Sequence, residues 1–148
     1  MAEHVWSLIC SHFSVDATTH NVSLNEIIED IQVKQVGPPL PPGTIIPARV
    51  NWKLATTWAR SDRAVAEVEV EEKVEIYDPD GRRVAGPVIN PFSLADTVRA
   101  RTVGDLQVLP VTHAGTYKIQ LAVRTLPHLE WMPAATVLLD VTFERSPP

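Results

Sequence analysis

The sequence predicts one all-β domain, a single antiparallel β-sandwich of seven or eight strands spanning residues 1–148. Three observations carry that expectation. Apolar and polar residues alternate with a period of two in window after window, which separates the two sides of a pleated strand and would scatter them around a helix. Strong turn formers fall between those windows, Asp78-Pro79-Asp80-Gly81 above all. The length, 148 residues with 45% hydrophobic, is that of one domain with ample material for a core.

His4 to Phe13 is apolar on both sides, with Trp6, Leu8 and Cys10 against Val5, Ile9 and Phe13. A strand here belongs in the middle of a sheet. Asn21 to Lys34 (NVSLNEIIEDIQVK) is ambiguous. Leu24, Ile27, Ile28 and Ile31 are spaced i, i+3, i+4, i+7, and Ser23 with Glu26 spells a capping box, so a short helix around Ser23–Ile31 stays open. We assign a strand kinked near Asn25, because strands surround it and pairing overrides local preference in so short a segment. Gln35 to Pro47 (QVGPPLPPGTIIP) reads as a stiff Pro-rich crossover loop. Its Pro38/Pro41 and Pro39/Pro42 spacings have the form read by SH3-type grooves, without a flanking arginine, which makes Pro39 and Leu40 interaction candidates.

Val50 to Trp58 puts Val50, Trp52, Leu54 and Trp58 on one face and Asn51, Lys53 and Thr57 on the other. In Val65 to Tyr77, Ala66, Val68, Val70, Val74 and Ile76 oppose Glu67, Glu69, Glu71, Lys73 and Glu75. Glu72 breaks this pattern: register places its carboxylate on the apolar face, where an unpaired charge is costly. We expect it near a rim or on an edge strand, where the glutamates keep other chains away. The turn that follows, Asp78 to Gly81, has Pro where φ is pre-set and Gly where positive φ is tolerated, a type I turn with a bulge at the glycine. Arg83–Ile89 and Arg99–Leu109 are weaker strands. Thr116–Arg124 turns Tyr117, Ile119, Leu121 and Val123 inward; Ala135–Phe143 does so with Val137, Leu139 and Val141. Ser146–Pro148 is a loose tail. The expected core is Trp52, Leu54, Val68, Val70, Tyr117, Ile119, Leu121, Val137, Leu139 and Val141.

Composition narrows the function classes. A net charge of −5 and a pI near 5.5, with cations no denser than Arg82–Arg83 and Arg99/Arg101, argue against nucleic acid. No run is apolar enough for a spanning helix, and MAEHVWSLIC has neither the basic start nor the apolar length of a signal peptide. The expectation is a cytoplasmic protein without membrane contact; a homo-oligomer stays open. Cys10 is the only cysteine. It shares a strand face with His12, but side chains two residues apart stand about 7 Å from each other, beyond a direct hydrogen bond, so Cys10 reads as a small buried hydrophobe.

No histidine pair has zinc-helix spacing, no glycine loop cradles phosphate, and no GxSxG occurs. Catalytic residues and cofactors are therefore expected to be none. Aligning Gly81 with the glycine of an EF-hand loop puts Ile76 and Pro87 at ligand positions, which excludes that loop. A looser calcium site using Asp78 and Asp80 stays open. Trp131 and His128 lie in the Pro-flanked LPHLEWMP and are the other interaction candidates: Trp131 either stacks on a sugar or partner, or folds back as a lid on the core.

Two stretches carry a resemblance. His113 to Val123 (HAGTYKIQLAV), with Gly115 and Tyr117, is similar to the G-x-Y strand start of immunoglobulin-like sandwiches, in which the tyrosine hydroxyl ties a corner to the upstream backbone. The fold that this implies is immunoglobulin-like or C2-like. Ile9 to Val33 resembles the start of a group of small bacterial β-sandwich proteins of unknown function. Asp16, Thr19, Asn21, Ser23, Leu24, Ile28, Glu29 and Ile31 carry that match, followed by the Y-D-P-D-G-R hairpin and the G-T-Y strand. The resemblance implies an eight-stranded sandwich and offers no catalytic residues. The resulting expectation is a non-catalytic protein-interaction or scaffolding module. The alternatives are a calcium- or carbohydrate-binding module and an enzyme whose site is assembled from loops.

Overall fold

A computed structural model describes residues 2–35, 37–61, 69–95 and 97–145. Nine strands form among these: β1 (Ala2–Val15), β2 (Val22–Ile27), β3 (Asp30–Gln35), β4 (Ile46–Arg60), β5 (Glu69–Tyr77), β6 (Arg83–Ser93), β7 (Arg99–Val111), β8 (Gly115–Thr125) and β9 (Met132–Arg145). They make a four-stranded sheet in the order β2-β1-β4-β7 and a five-stranded sheet in the order β3-β9-β8-β5-β6. No helix of the described residues is long and apolar enough to cross a membrane.

Nine strands replace the expected seven or eight because Asn21–Lys34 supplies two, and the short helix around Ser23–Ile31 does not form. β2 pairs with β1 in one sheet, Leu24 opposite Phe13, while β3 pairs with β9 in the other, Val33 opposite Phe143. The chain crosses between sheets at Ile28 and Glu29, just after Glu26 takes a φ of 53°. Ile28 N–H donates to the Ile9 carbonyl at 2.8 Å, and the Glu29 carbonyl accepts from Asp140 N–H at 3.0 Å. One backbone group is thus satisfied by each sheet through the crossing. The second correction concerns direction: β3 runs parallel to β9, so the fold is not wholly antiparallel. A strand that changes sheets without reversing must accept the sense of the edge it meets.

β1 lies mid-sheet, between β2 and β4, as its two-sided apolar pattern predicts. In β5, Val70 and Ile76 are buried and Glu69 is exposed, so the alternation holds over the described part; Val65, Ala66, Glu67 and Val68 lie outside the described residues, as does the tail Ser146–Pro148. β5 is not an edge strand, because β8 and β6 flank it. Two of its outward glutamates are paired instead: Glu71 with Arg124 at 2.5 Å, and Glu75 with Arg83 at 3.0 Å and with Lys73 at 3.4 Å. The edges of this sheet are β3 and β6, and in β6 Pro87 and Pro91 remove two ladder donors.

The turn from Asp78 to Gly81 forms as predicted. Gly81 N–H donates to the Asp78 carbonyl at 3.0 Å, Asp78 N–H to the Arg82 carbonyl at 2.8 Å, and Gly81 has a φ of 83°. Within the β5–β6 pairing, register shifts beside Ile76, across from Gly86. A Cβ on Gly86 would stand 2.6 Å from the Val74 carbonyl oxygen, so only glycine fits there.

Both sheets contribute to one hydrophobic cluster. Val70, Tyr117, Ile119, Leu121, Leu139 and Val141 are buried in it as expected, and Trp52, Leu54 and Val137 pack half-buried against it. Trp58, Leu94, Leu109 and Val111 complete it with no exposed surface.

Candidate functional site

Three regions gather the polar and exposed residues of interest. The first is the loop between β8 and β9. Arg124 braces it: Nε and Nη2 both meet Glu71 Oε2 at 2.5 Å, Nη1 donates to the Leu129 carbonyl at 3.3 Å, and the guanidinium lies 4.3 Å from the Trp131 ring centre. Lys73 Nζ lies 5.0 Å from the same ring. Trp131 therefore does not fold back as a lid on the core. Its ring is held by two cations on the outward side of the five-stranded sheet, against a groove of about 550 Å³ lined by Glu75, Gln120 and Thr136 among others. His128, Leu129, Glu130 and Met132 face a different cleft of about 860 Å³, completed by Ala2, Glu3 and His4. Leu129 is 76% exposed and Met132 49%, although the loop carrying Leu129 is hydrogen-bonded in place. The sequence-picked Trp131 and His128 thus sit in one loop but line separate cavities. Pro39 and Leu40 lie elsewhere, in the exposed segment between β3 and β4.

The second region surrounds Asp78. Asp78, Asp80 and His113 bring one ligand-type atom each to within 4.8 Å of the others, an arrangement for which sequence reasoning supplied the two aspartates and missed the histidine. Asp78 is 3% exposed, and its oxygens are already engaged. Oδ1 accepts the N–H groups of Asp80 and Arg82, both at 2.9 Å, and Oδ2 accepts the Thr112 hydroxyl at 3.2 Å. Thr112 N–H in turn donates to Tyr117 Oη at 2.9 Å, and the Tyr117 hydroxyl donates to the His113 carbonyl at 2.8 Å. Asp78 thus ties the β5–β6 turn to the corner before β8. Burial works to raise its pKa, but the hydrogen bonds from Arg82, Thr112 and Asp80 prevail and hold it below the usual aspartate value. A cation here would compete with those donors and gain only Asp80 and His113 as additional ligands; calcium takes six to eight oxygens.

The third region is interior. Glu72 is 2% exposed and points inward from a strand that is not an edge. Its charge is tolerated because three neutral donors converge on it from three strands: Trp58 Nε1 and Thr102 Oγ1 on Oε2, each at 2.8 Å, and Asn90 Nδ2 on Oε1 at 3.3 Å. His4 stands edge-on to Trp58 at 5.6 Å between ring centres; burial lowers its pKa, and the Glu72 charge opposes that shift. His4 Nε2 also meets Ser7 Oγ at 2.8 Å, and Ser7 Oγ donates to Thr56 Oγ1 at 3.0 Å. Sequence singled out Glu72 as an anomaly, but nothing in its spacing pointed to Trp58, Asn90 or Thr102. Cys10 and His12 are not a working pair: Cys10 is fully buried, which pushes its thiol pKa up, while His12 is exposed.

No protein-family model matches the chain, and no curated protein matches it.

Proposed function

We propose that the chain is a non-catalytic interaction module, a β-sandwich of immunoglobulin-like type that offers the end of the molecule around Leu129 to another protein. The shared cluster of the two sheets and the hydroxyl of Tyr117 closing its corner support the fold reading. The exposure of Leu129 carries the functional one. A large aliphatic side chain, 76% exposed on a loop anchored by Arg124 and beside a cleft of about 860 Å³, is pre-positioned to be covered. Glu3, His4, His128 and Glu130 give the cleft the polar rim typical of protein interfaces.

The test is photo-crosslinking in the native host, with a photoreactive residue at Leu129 and a control at Leu138, which is 56% exposed on β9. A discrete adduct at position 129, absent at 138 and lost in a Met132→Asp background, is the expected result. Equal labelling at both positions, or none at 129, overturns the proposal.

A further inference from the structure

Between the edge strands β6 and β7 lies a pocket of about 120 Å³ that the loop surface does not involve. Its walls include Leu54, Ile76, Leu106 and Ile119, and its polar residues are Glu72, Asn90 and Asp105, of which Asp105 is exposed and paired with Lys53. The Glu72 oxygens are unequal. Oε2 takes two donors at 2.8 Å, whereas Oε1 takes only the Asn90 amide at 3.3 Å, longer than an ordinary N–H···O bond. An ionised carboxylate offers about four acceptor positions, so Oε1 keeps capacity. No Lys, Arg or His nitrogen among the described residues forms an ion pair with it. Neutral donors spread the charge of a buried carboxylate without cancelling it. Asn90, having spent its amide nitrogen on Glu72, retains its carbonyl oxygen as an acceptor.

We propose that this pocket binds a primary alkylammonium group, with the ammonium donating to Glu72 Oε1 and the Asn90 side-chain oxygen and the alkyl chain lying against Leu54, Ile76 and Leu106. The choice follows from the chemistry present. An ammonium is a compact charge with three donors, which suits a single free carboxylate oxygen, whereas a guanidinium prefers both oxygens at once and Oε2 is taken. A hard divalent cation needs more oxygens than the Glu72 carboxylate and the Asn90 amide provide, and the Asp105 carboxylate is engaged with Lys53 at the surface. The glycine at 104 keeps space for a ligand: it stands beside Thr102 and Leu106 in the lining strand, and a Cβ added there meets nothing within 4 Å. The ammonium belongs either to a free small amine or to a lysine side chain of a partner; the recognition chemistry is the same.

The experiment is an amide NMR titration of the full chain with n-butylammonium chloride, n-butanol and N-acetyl-lysine methylamide, in the wild type, Gly104→Leu and Glu72→Gln. Saturable shifts at Asn90, Thr102, Gly104 and Leu106 with butylammonium, at least tenfold weaker with butanol, are expected. Gly104→Leu fills the pocket and abolishes them while the rest of the spectrum and the melting temperature are kept; Glu72→Gln, where it folds, weakens binding at least tenfold. Saturation by N-acetyl-lysine methylamide as well supports a side-chain source, and butylammonium alone supports a free amine. No saturable shift with either ammonium probe, equal binding of butanol, or binding that survives Gly104→Leu overturns the proposal. The outcome is independent of the crosslinking at Leu129.

Discussion

The indole Nε1–H of Trp58 donates to the Glu72 carboxylate at 2.8 Å, joining β4 of one sheet to β5 of the other inside the hydrophobic cluster. The indole is itself fixed, stacked on Phe92 at 5.7 Å and met edge-on by His4. Alignments that shift one sheet along the other part the indole from the carboxylate, so the pair acts as a pin between sheets. Thr102 of β7 supplies the second bond to the same oxygen. Thr102→Val keeps the side-chain volume and removes that donor. The expected loss is about 1.5–3 kcal/mol, the range for hydrogen bonds to charged groups. It is read as a lower urea midpoint at unchanged slope; a midpoint equal to that of the wild type refutes the pin.

Asp78 gives a pH signature. Its pKa is held below the ordinary aspartate value because hydrogen bonds from Arg82, Thr112 and Asp80 outweigh the opposing effect of burial. A carboxyl with a depressed folded-state pKa stabilises the fold at pH values above its unfolded pKa, and that contribution disappears as pH falls through the folded value. Asp78→Asn removes the contribution altogether. The stability difference between wild type and Asp78→Asn is therefore expected to stay constant above about pH 5 and to shrink below about pH 4. Urea melts across that range measure it, and a pH-independent difference contradicts the assignment.

Gly86 and Gly104 separate two reasons for glycine. At Gly86, φ is 87° and an added Cβ meets the Val74 carbonyl at 2.6 Å, a backbone atom that cannot swing aside. Gly86→Ala is expected to cost about 1–3 kcal/mol. At Gly104 an added Cβ meets nothing within 4 Å, so Gly104→Ala is expected to be neutral or slightly stabilising. Thermal unfolding of the two variants checks the contrast; similar shifts in both sink it.

How much of this was legible in the sequence depended on whether the information was local. The alternation of β5, the turn at Asp78–Gly81 and the inward row of Tyr117, Ile119 and Leu121 are local, and their pattern was sufficient. Asn21–Lys34 misled because two short strands lie end to end on different sheets. Leu24 belongs to the rhythm of β2, Ile31 and Val33 to that of β3, and the unpaired step at Ile28 and Glu29 shifts one rhythm against the other into a helix-like spacing. The parallel pairing of β3 with β9 and the donors around Glu72 are non-local. Trp58, Asn90 and Thr102 come from three strands whose proximity exists only after both sheets form. The bracing of Trp131 by Lys73 and Arg124 was hidden in the same way, since three strands separate Lys73 from Trp131 in sequence.

The crossing at Ile28 and Glu29 also sets the order in which the molecule can be finished. Asp30 pairs with Asp140 and Gln35 with Arg145, so the third strand to leave the ribosome has no sheet to join until the last one is made. Such distant pairing makes closure slow and leaves β3 without a partner strand until β9 is in place. The third strand waits unpaired until the ninth is there to zip against it.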